Sequence, residues 1–120
     1  MKFRTDLLYL EDITISMERI TQYTEGFNLT SFKKDSKTVD AVIRNFEIIG
    51  EAAKKLSEEL KNQNPDVPLK EMYYLRNRVM HEYFGIDYEI IWDIATNYLP
   101  ANKAIVDKII KELASSRKKP

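Results

Sequence analysis

The chain has no cysteine, three glycines, four prolines and a single histidine in 120 residues. Without cysteine there is no disulfide, no thiolate metal site and no cysteine nucleophile, a composition that suits a reducing cytoplasm. So little glycine and proline leaves scant material for the tight turns of a sheet protein and points to long helices. The glycines stand apart at 26, 50 and 85, so they build no glycine-rich phosphate loop. No apolar run approaches the roughly 18 residues needed to span a bilayer. The opening MKFRTDLLYLEDIT carries acidic residues where a secretory signal needs an unbroken apolar region. A soluble, cytoplasmic protein is the expectation. Nineteen Lys and Arg against nineteen Asp and Glu cancel. Overall charge therefore cannot hold a long phosphate backbone, and any nucleic-acid contact has to be local. One histidine and scattered carboxylates offer no ligand spacing for zinc or a divalent cation, so neither metal nor cofactor is expected.

What is present reads as one all-α domain over residues 1–120, large enough for a core of its own. Between Asp35 and Pro65 the apolar residues Val39, Val42, Phe46, Ile49, Ala53, Leu56 and Leu60 alternate steps of three and four. That spacing predicts a helix of about seven turns, capped by Asp35 or Ser36 and stopped by NQNPDVP. Gly50 inside it costs stability relative to alanine and suits close helix approach. Upstream, Leu10, Ile13, Met17, Ile20 and Phe27 keep a similar stripe, predicting a first helix over about 3–25 that breaks at Gly26 and NLTSF. A third helix is expected from Pro68 to Gly85. Asp87 caps a fourth, whose stripe Ile91, Ile94, Tyr98, Ala101, Ile105 and Ile109 continues through a kink or brief interruption at Pro100. The closing SSRKKP, residues 115–120, is expected to fray. Four helices with short connections pack most simply as an antiparallel four-helix bundle. Ile43 and Ile48 lie off the main seam, and the extra apolar width fits either a dimer or cover by neighbouring helices. The run KKLSEELKNQ reads as a solvated helical face.

The chemistry concentrates in MYYLRNRVMHEYFG, residues 72–85. Asn77 and His81 are four apart and nearly superposed on a helix, so the amide can orient the imidazole or a shared ligand. Arg76 falls instead among Leu69, Met72, Tyr73, Met80 and Tyr83 on the apolar stripe, roughly 140° around an ideal helix from His81. A guanidinium on an apolar face needs a partner, either a carboxylate such as Glu47 or Glu51 or an anionic ligand. Taken alone, a histidine near a helix end is more often a surface group than a catalyst, and such an arginine is as often a structural ion pair as a ligand. Tyr73, Tyr74 and Tyr83 by themselves read as core or interface aromatics.

Together these residues resemble a known pattern. RNRVMHEY matches the Arg, polar, three variable, His, variable, Tyr motif of HEPN-domain ribonucleases, as Arg76, Asn77, His81 and Tyr83. AVIRNFEIIGEAAKKLS, the VPLKEMYYLRNRVMHEYFGIDYEIIW block and YLP all look like the HepT-like branch, and together they cover most of the chain. The resemblance implies an all-α, usually homodimeric toxin that cleaves RNA without a metal. It also implies a type VII-like toxin–antitoxin pair with a small nucleotidyltransferase antitoxin of the MntA type, which silences the nuclease by adding AMP to the motif tyrosine, here Tyr83.

In physical terms, cleavage through the RNA 2′-hydroxyl needs a base, an acid and positive charge on the phosphorane-like transition state. A histidine of ordinary pKa serves as either base or acid near neutrality, but one histidine does not conveniently serve as both. A two-fold dimer pairing the third helices would bring two His81 and two Arg76 into one cleft. Tyr83, seven residues from Arg76, returns to nearly the same side of the helix, so AMP attached there would put bulk and negative charge over Arg76. Lys70 and Arg78 are possible RNA contacts, though as helix charges they also serve solubility. The alternatives are a non-catalytic HEPN module that binds a nucleotide or a nucleotidyltransferase partner, and a helical dimerisation protein in which Arg76 is only an ion pair.

Overall fold

The computed structural model describes residues 2–65 and 87–118, all of it helix and connecting turn. The expected third helix lies outside these residues. Helix α1 spans Lys2–Thr24 and turns Leu7, Leu10, Ile13, Met17 and Ile20 inward. It closes where Thr24 Oγ1 donates to Ile20 O at 2.9 Å and Gly26 takes φ 81°, a left-handed conformation costly for any residue with a Cβ.

A short helix, α2 (Leu29–Lys34), occupies part of the expected break. Asn28 and Ser31 build a reciprocal capping box: Ser31 N donates to Asn28 Oδ1 at 2.8 Å, and Asn28 N donates to Ser31 Oγ at 3.0 Å. Six residues are too few for apolar periodicity to show, and the element stands on these caps and the buried ring of Phe32. Asp35 then closes α2 with its backbone N–H and opens α3 (Ser36–Lys54) by accepting from Thr38 N at 3.0 Å.

The seam of α3 is buried as its spacing predicts, with Val42, Phe46, Ile49 and Ala53 at its centre and Gly50 buried beside them. Ile43 packs on the core from the flank and Ile48 is half-buried, so the chain itself covers part of the apolar surplus. The long helix expected up to Pro65 is nevertheless two helices. It ends at Lys55, and α4 (Glu58–Gln63) starts afresh from Ser57. The break has a tertiary cause. Asp6, 1% exposed on α1, accepts from Ser57 N at 2.9 Å and from Ser57 Oγ at 2.6 Å. A buried carboxylate offers that N–H a charge-assisted bond stronger than a helical carbonyl does. Ser57 Oγ also accepts from Leu60 N at 3.2 Å, so one side chain caps α4 and ties it to α1. Leu56 and Leu60 are buried on either side while Lys54, Lys55, Glu58, Glu59, Asn62 and Gln63 are exposed, so KKLSEELKNQ keeps its solvated face but turns a corner anchored in the core.

Beyond Asp87, whose carboxylate accepts from Ile90 N at 3.1 Å, run α5 (Tyr88–Asp93), a π-helical stretch (Ile94–Tyr98) and α6 (Leu99–Lys118). The interruption expected at Pro100 is this π stretch, in which Leu99 N donates to Ile94 O. Proline at 100 has no N–H for the Thr96 carbonyl, and its ring would crowd that carbonyl in α register. A π turn takes up one extra residue, so the inward face shifts by about one position. Leu99 and Val106 are buried, while Ala101 is exposed and Ile105 is 36% exposed. The expected stripe is therefore right at Ile91, Ile94 and Ile109, with Tyr98 packed against the core, and wrong at Ala101 and Ile105. Helix continues through Ser115 and Ser116 to Lys118, past the point where fraying was expected.

Antiparallel contacts assemble the bundle. Asp6 to Ser57 and Lys55 over the Tyr9 ring at 5.8 Å join α1 to the α3–α4 corner. Thr14 Oγ1 to Asp107 Oδ1 at 3.3 Å and Lys103 Nζ to Glu18 Oε1 at 3.3 Å join α1 to α6. Lys103 also reaches Asp107 at 2.7 Å, and that hydrogen bond, with Glu18 adding to it against some burial, holds its ammonium pKa above the usual lysine value.

Candidate functional site

Every residue singled out for chemistry from the sequence, namely Arg76, Asn77, His81, Tyr83, Lys70 and Arg78, lies outside the described residues. The structure describes the helices that hold the two ends of this segment. On the near side, α4 is pinned by Asp6 and by the buried Leu60, and Asn64 Nδ2 donates back to Leu60 O at 3.0 Å. On the far side, Asp87 caps α5 and Ile91 is buried. There the Trp92 ring meets Phe32 of α2 at 5.2 Å between centroids, tilted by 44°. Both anchors are packed and hydrogen-bonded, a scaffold of the kind that holds functional groups in place.

Of the two carboxylates suggested as partners for Arg76, Glu47 and Glu51, each is half-buried on α3. Glu47 Oε2 takes Arg44 Nη1 at 3.3 Å. Both carboxylates border a shallow groove of about 210 Å³ between α1 and α3, with Ile48 and Ala52 beneath and Tyr9, Asp12 and Lys55 at the rim. Its charges alternate in sign, and it presents no imidazole, since the chain's one histidine is His81. Among the described residues no three His, Asp or Glu side chains gather as a metal site. No described helix is long and apolar enough to cross a membrane.

Four buried polar residues among those described, Asp6, Ser16, Thr24 and Asn45, escaped sequence reasoning, and two of them stand apart. Asp6 is one. Asn45 of α3 is the other: its Nδ2 donates to Ala41 O at 2.9 Å, and its Oδ1 has no hydrogen-bond partner among the described residues. The signal available for both was a polar residue at the edge of an apolar stripe, which does not by itself separate a clamp from a boundary position.

Comparison with known proteins completes the picture. The model of the family described as ribonuclease HepT-like matches residues 13–109. A protein of Methanocaldococcus jannaschii provisionally designated an RNase is 46% identical over 88% of this chain and 87% of its own length. One from Thermococcus cleftensis, provisionally designated ribonuclease HepT, is 38% identical over 86% of this chain and 94% of its own. A third, from Caldanaerobacter subterraneus subsp. tengcongensis and also provisionally designated an RNase, is 35% identical over 96% of this chain and 99% of its own. No solved structure gives a significant match.

Proposed function

The chain belongs to the HepT-like ribonuclease family, and on that premise we propose that it is a metal-independent endoribonuclease acting through Arg76, Asn77 and His81. The observation that carries this reading is the intact RNRVMHEY motif inside a chain matched from residue 13 to residue 109 by the family model. His81 acts as base or acid in attack by the 2′-hydroxyl, Arg76 neutralises the phosphorane-like transition state, and Asn77 orients the imidazole. Two copies of the chain supply both proton-transfer roles by facing their third helices in a homodimer. Lys70 and Arg78 add attraction for RNA.

The test is the chemistry of the ends. Purified protein incubated in EDTA with a short labelled RNA is expected to release fragments ending in 2′,3′-cyclic phosphate, and His81→Ala is expected to release none. Intact RNA with both proteins, each folded and unmodified, would replace this reading with a nucleotide-binding or partner-binding module.

The same reading extends to control of the enzyme. A nucleotidyltransferase antitoxin, the cognate member of a toxin–antitoxin pair, adds AMP to the Tyr83 hydroxyl, which covers Arg76 with bulk and negative charge. Tyr83→Phe is then expected to cleave RNA at close to the wild-type rate and to stay active with the antitoxin and ATP, conditions that silence the wild type. A Tyr83→Phe protein that is inactive from the outset would assign the hydroxyl to catalysis instead.

A further inference from the structure

The outward side of α1 carries apolar side chains that the chain itself leaves uncovered. Among the described residues four large apolar side chains are exposed, and three of them, Leu8 at 57%, Ile15 at 44% and Tyr23 at 38%, belong to this one helix. At about 100° per residue Leu8 and Ile15 lie within about 20° of each other and roughly 170° from the mean direction of the buried Leu10, Ile13, Met17 and Ile20. They form a ridge pointing away from the core, not the margin of the buried face. Beside it runs the groove between α1 and α3, floored by Ile48 and Ala52. The antiparallel register of these two helices follows from Asp6 with Ser57 and from Lys55 over Tyr9. At 1.5 Å per residue it sets Ile48 level with Ile15.

Charge divides about that level. Glu11 and Asp12 lie on one side of Ile15 along α1, and Arg19 lies on the other, with Arg44 of α3 level with it in the same register. All four are exposed, and Glu11, Asp12 and Arg19 form no ion pair among the described residues. Arg44 holds Glu47 at 3.3 Å and still keeps its side chain 66% exposed. Lys55, at the acidic end, is engaged over the Tyr9 ring. Such a face is self-complementary under a two-fold axis. Turned by 180° about Ile15, a second α1 lies antiparallel on the first, so that Ile15 meets its own copy beside the Ile48 floor. Leu8 of each copy then comes level with Tyr23 of the other, and Glu11 and Asp12 come level with Arg19. In a parallel arrangement acids would meet acids.

We propose that this face is an interface between two copies of the chain, made by antiparallel α1 helices crossing at Ile15 and separate from the pairing of third helices that the catalytic reading calls for. Its apolar centre and charged margins are those of a protein interface. RNA or an anionic membrane would meet Glu11 and Asp12 as like charge.

Sedimentation of the purified protein, over a range of concentrations, reads the assembly's mass. Ile15→Glu puts a carboxylate at the centre of the contact and is expected to weaken association at least about tenfold, halving the mass where the wild type is fully associated. The halving is expected from tetramer to dimer where the third helices also pair, and from dimer to monomer where they do not. The outcome is therefore independent of the catalytic reading, which the EDTA cleavage test decides. Arg19→Glu sets like charges against each other and is expected to dissociate the assembly in the same way. Adding Glu11→Lys and Asp12→Lys to Arg19→Glu is expected to restore the wild-type mass, once circular dichroism has shown the same helicity in every variant. An unchanged mass in Ile15→Glu would overturn the proposal, as would a monomeric wild type. A folded triple variant that fails to reassociate would overturn it too. Loss of a different protein partner by Ile15→Glu, at unchanged mass, would assign the ridge to that partner and remove the second copy.

Discussion

Arg76→Ala is expected to slow RNA cleavage by about 10²–10³-fold, the scale for removing one preorganised stabiliser of a developing oxyanion, while leaving the thermal unfolding midpoint close to that of wild type. Spacing predicts Arg76 on the apolar stripe of the third helix, and a guanidinium that gives up water there would need its charge compensated. Glu47, one of the two carboxylates on α3 offered as compensation, has Arg44 at 3.3 Å. A phosphodiester suits a guanidinium because its planar fork matches two oxygens at once, and the added charge of the phosphorane makes the contact stronger in the transition state than in the ground state. Single-turnover cleavage of a labelled RNA, beside a thermal melt, checks this. A protein that loses activity only because it has unfolded would return Arg76 to the role of a buried ion pair. Arg76→Lys distinguishes further: it keeps the charge but not the fork, so partial activity is expected.

The largest stability effect is expected at Asp6, far from Arg76 in sequence. Asp6→Ala leaves the Ser57 N–H and hydroxyl without the acceptor they share across 51 positions of sequence. Orphaned buried donors, together with lost hydrogen bonds to a charged group, are worth about 2–4 kcal/mol. Urea unfolding should register that loss as a lower midpoint at unchanged slope. Ser57→Ala keeps the backbone N–H bonded to Asp6 and loses the hydroxyl and the α4 cap, so a smaller loss of about 1–2 kcal/mol is expected. The double variant should cost clearly less than the two single losses added together, because the two side chains share one interaction. Simple additivity would show that Asp6 and Ser57 act independently. Hydrogen exchange in residues 57–63 is expected to rise selectively in Asp6→Ala, since this clamp ties α4 to α1.

Much of the architecture was legible before any coordinates, and for a shared reason. The helical faces of α1 and α3 are written as repeats of three and four in Leu10, Ile13, Met17 and Ile20 and in Val42, Phe46, Ile49 and Ala53, and burial follows that repeat residue by residue. Asp35 and Asp87 were legible as caps because a cap is satisfied within three residues. The motif residues Arg76, Asn77, His81 and Tyr83 came from residue types and intervals together with the family resemblance, and they lie outside the described residues.

Other features depend on groups distant in sequence, where spacing carries no information. The break between α3 and α4 exists because Asp6 takes the Ser57 N–H from a partner half the chain away, while the apolar stripe runs straight through it. Helix α2 is too short for periodicity to show, and the buried ring of Phe32 sustains it against Trp92. Past Pro100 the proline announced a disturbance, but only the π turn determined its form, and that one extra residue put Leu99 and Val106 in the core in place of Ala101 and Ile105. The sequence by itself determined the helices, their caps and the motif, because each is settled within a few turns of chain. The tertiary structure decided where helices stop and which face turns inward after a π turn, because those outcomes are set by contacts between residues that only folding brings together.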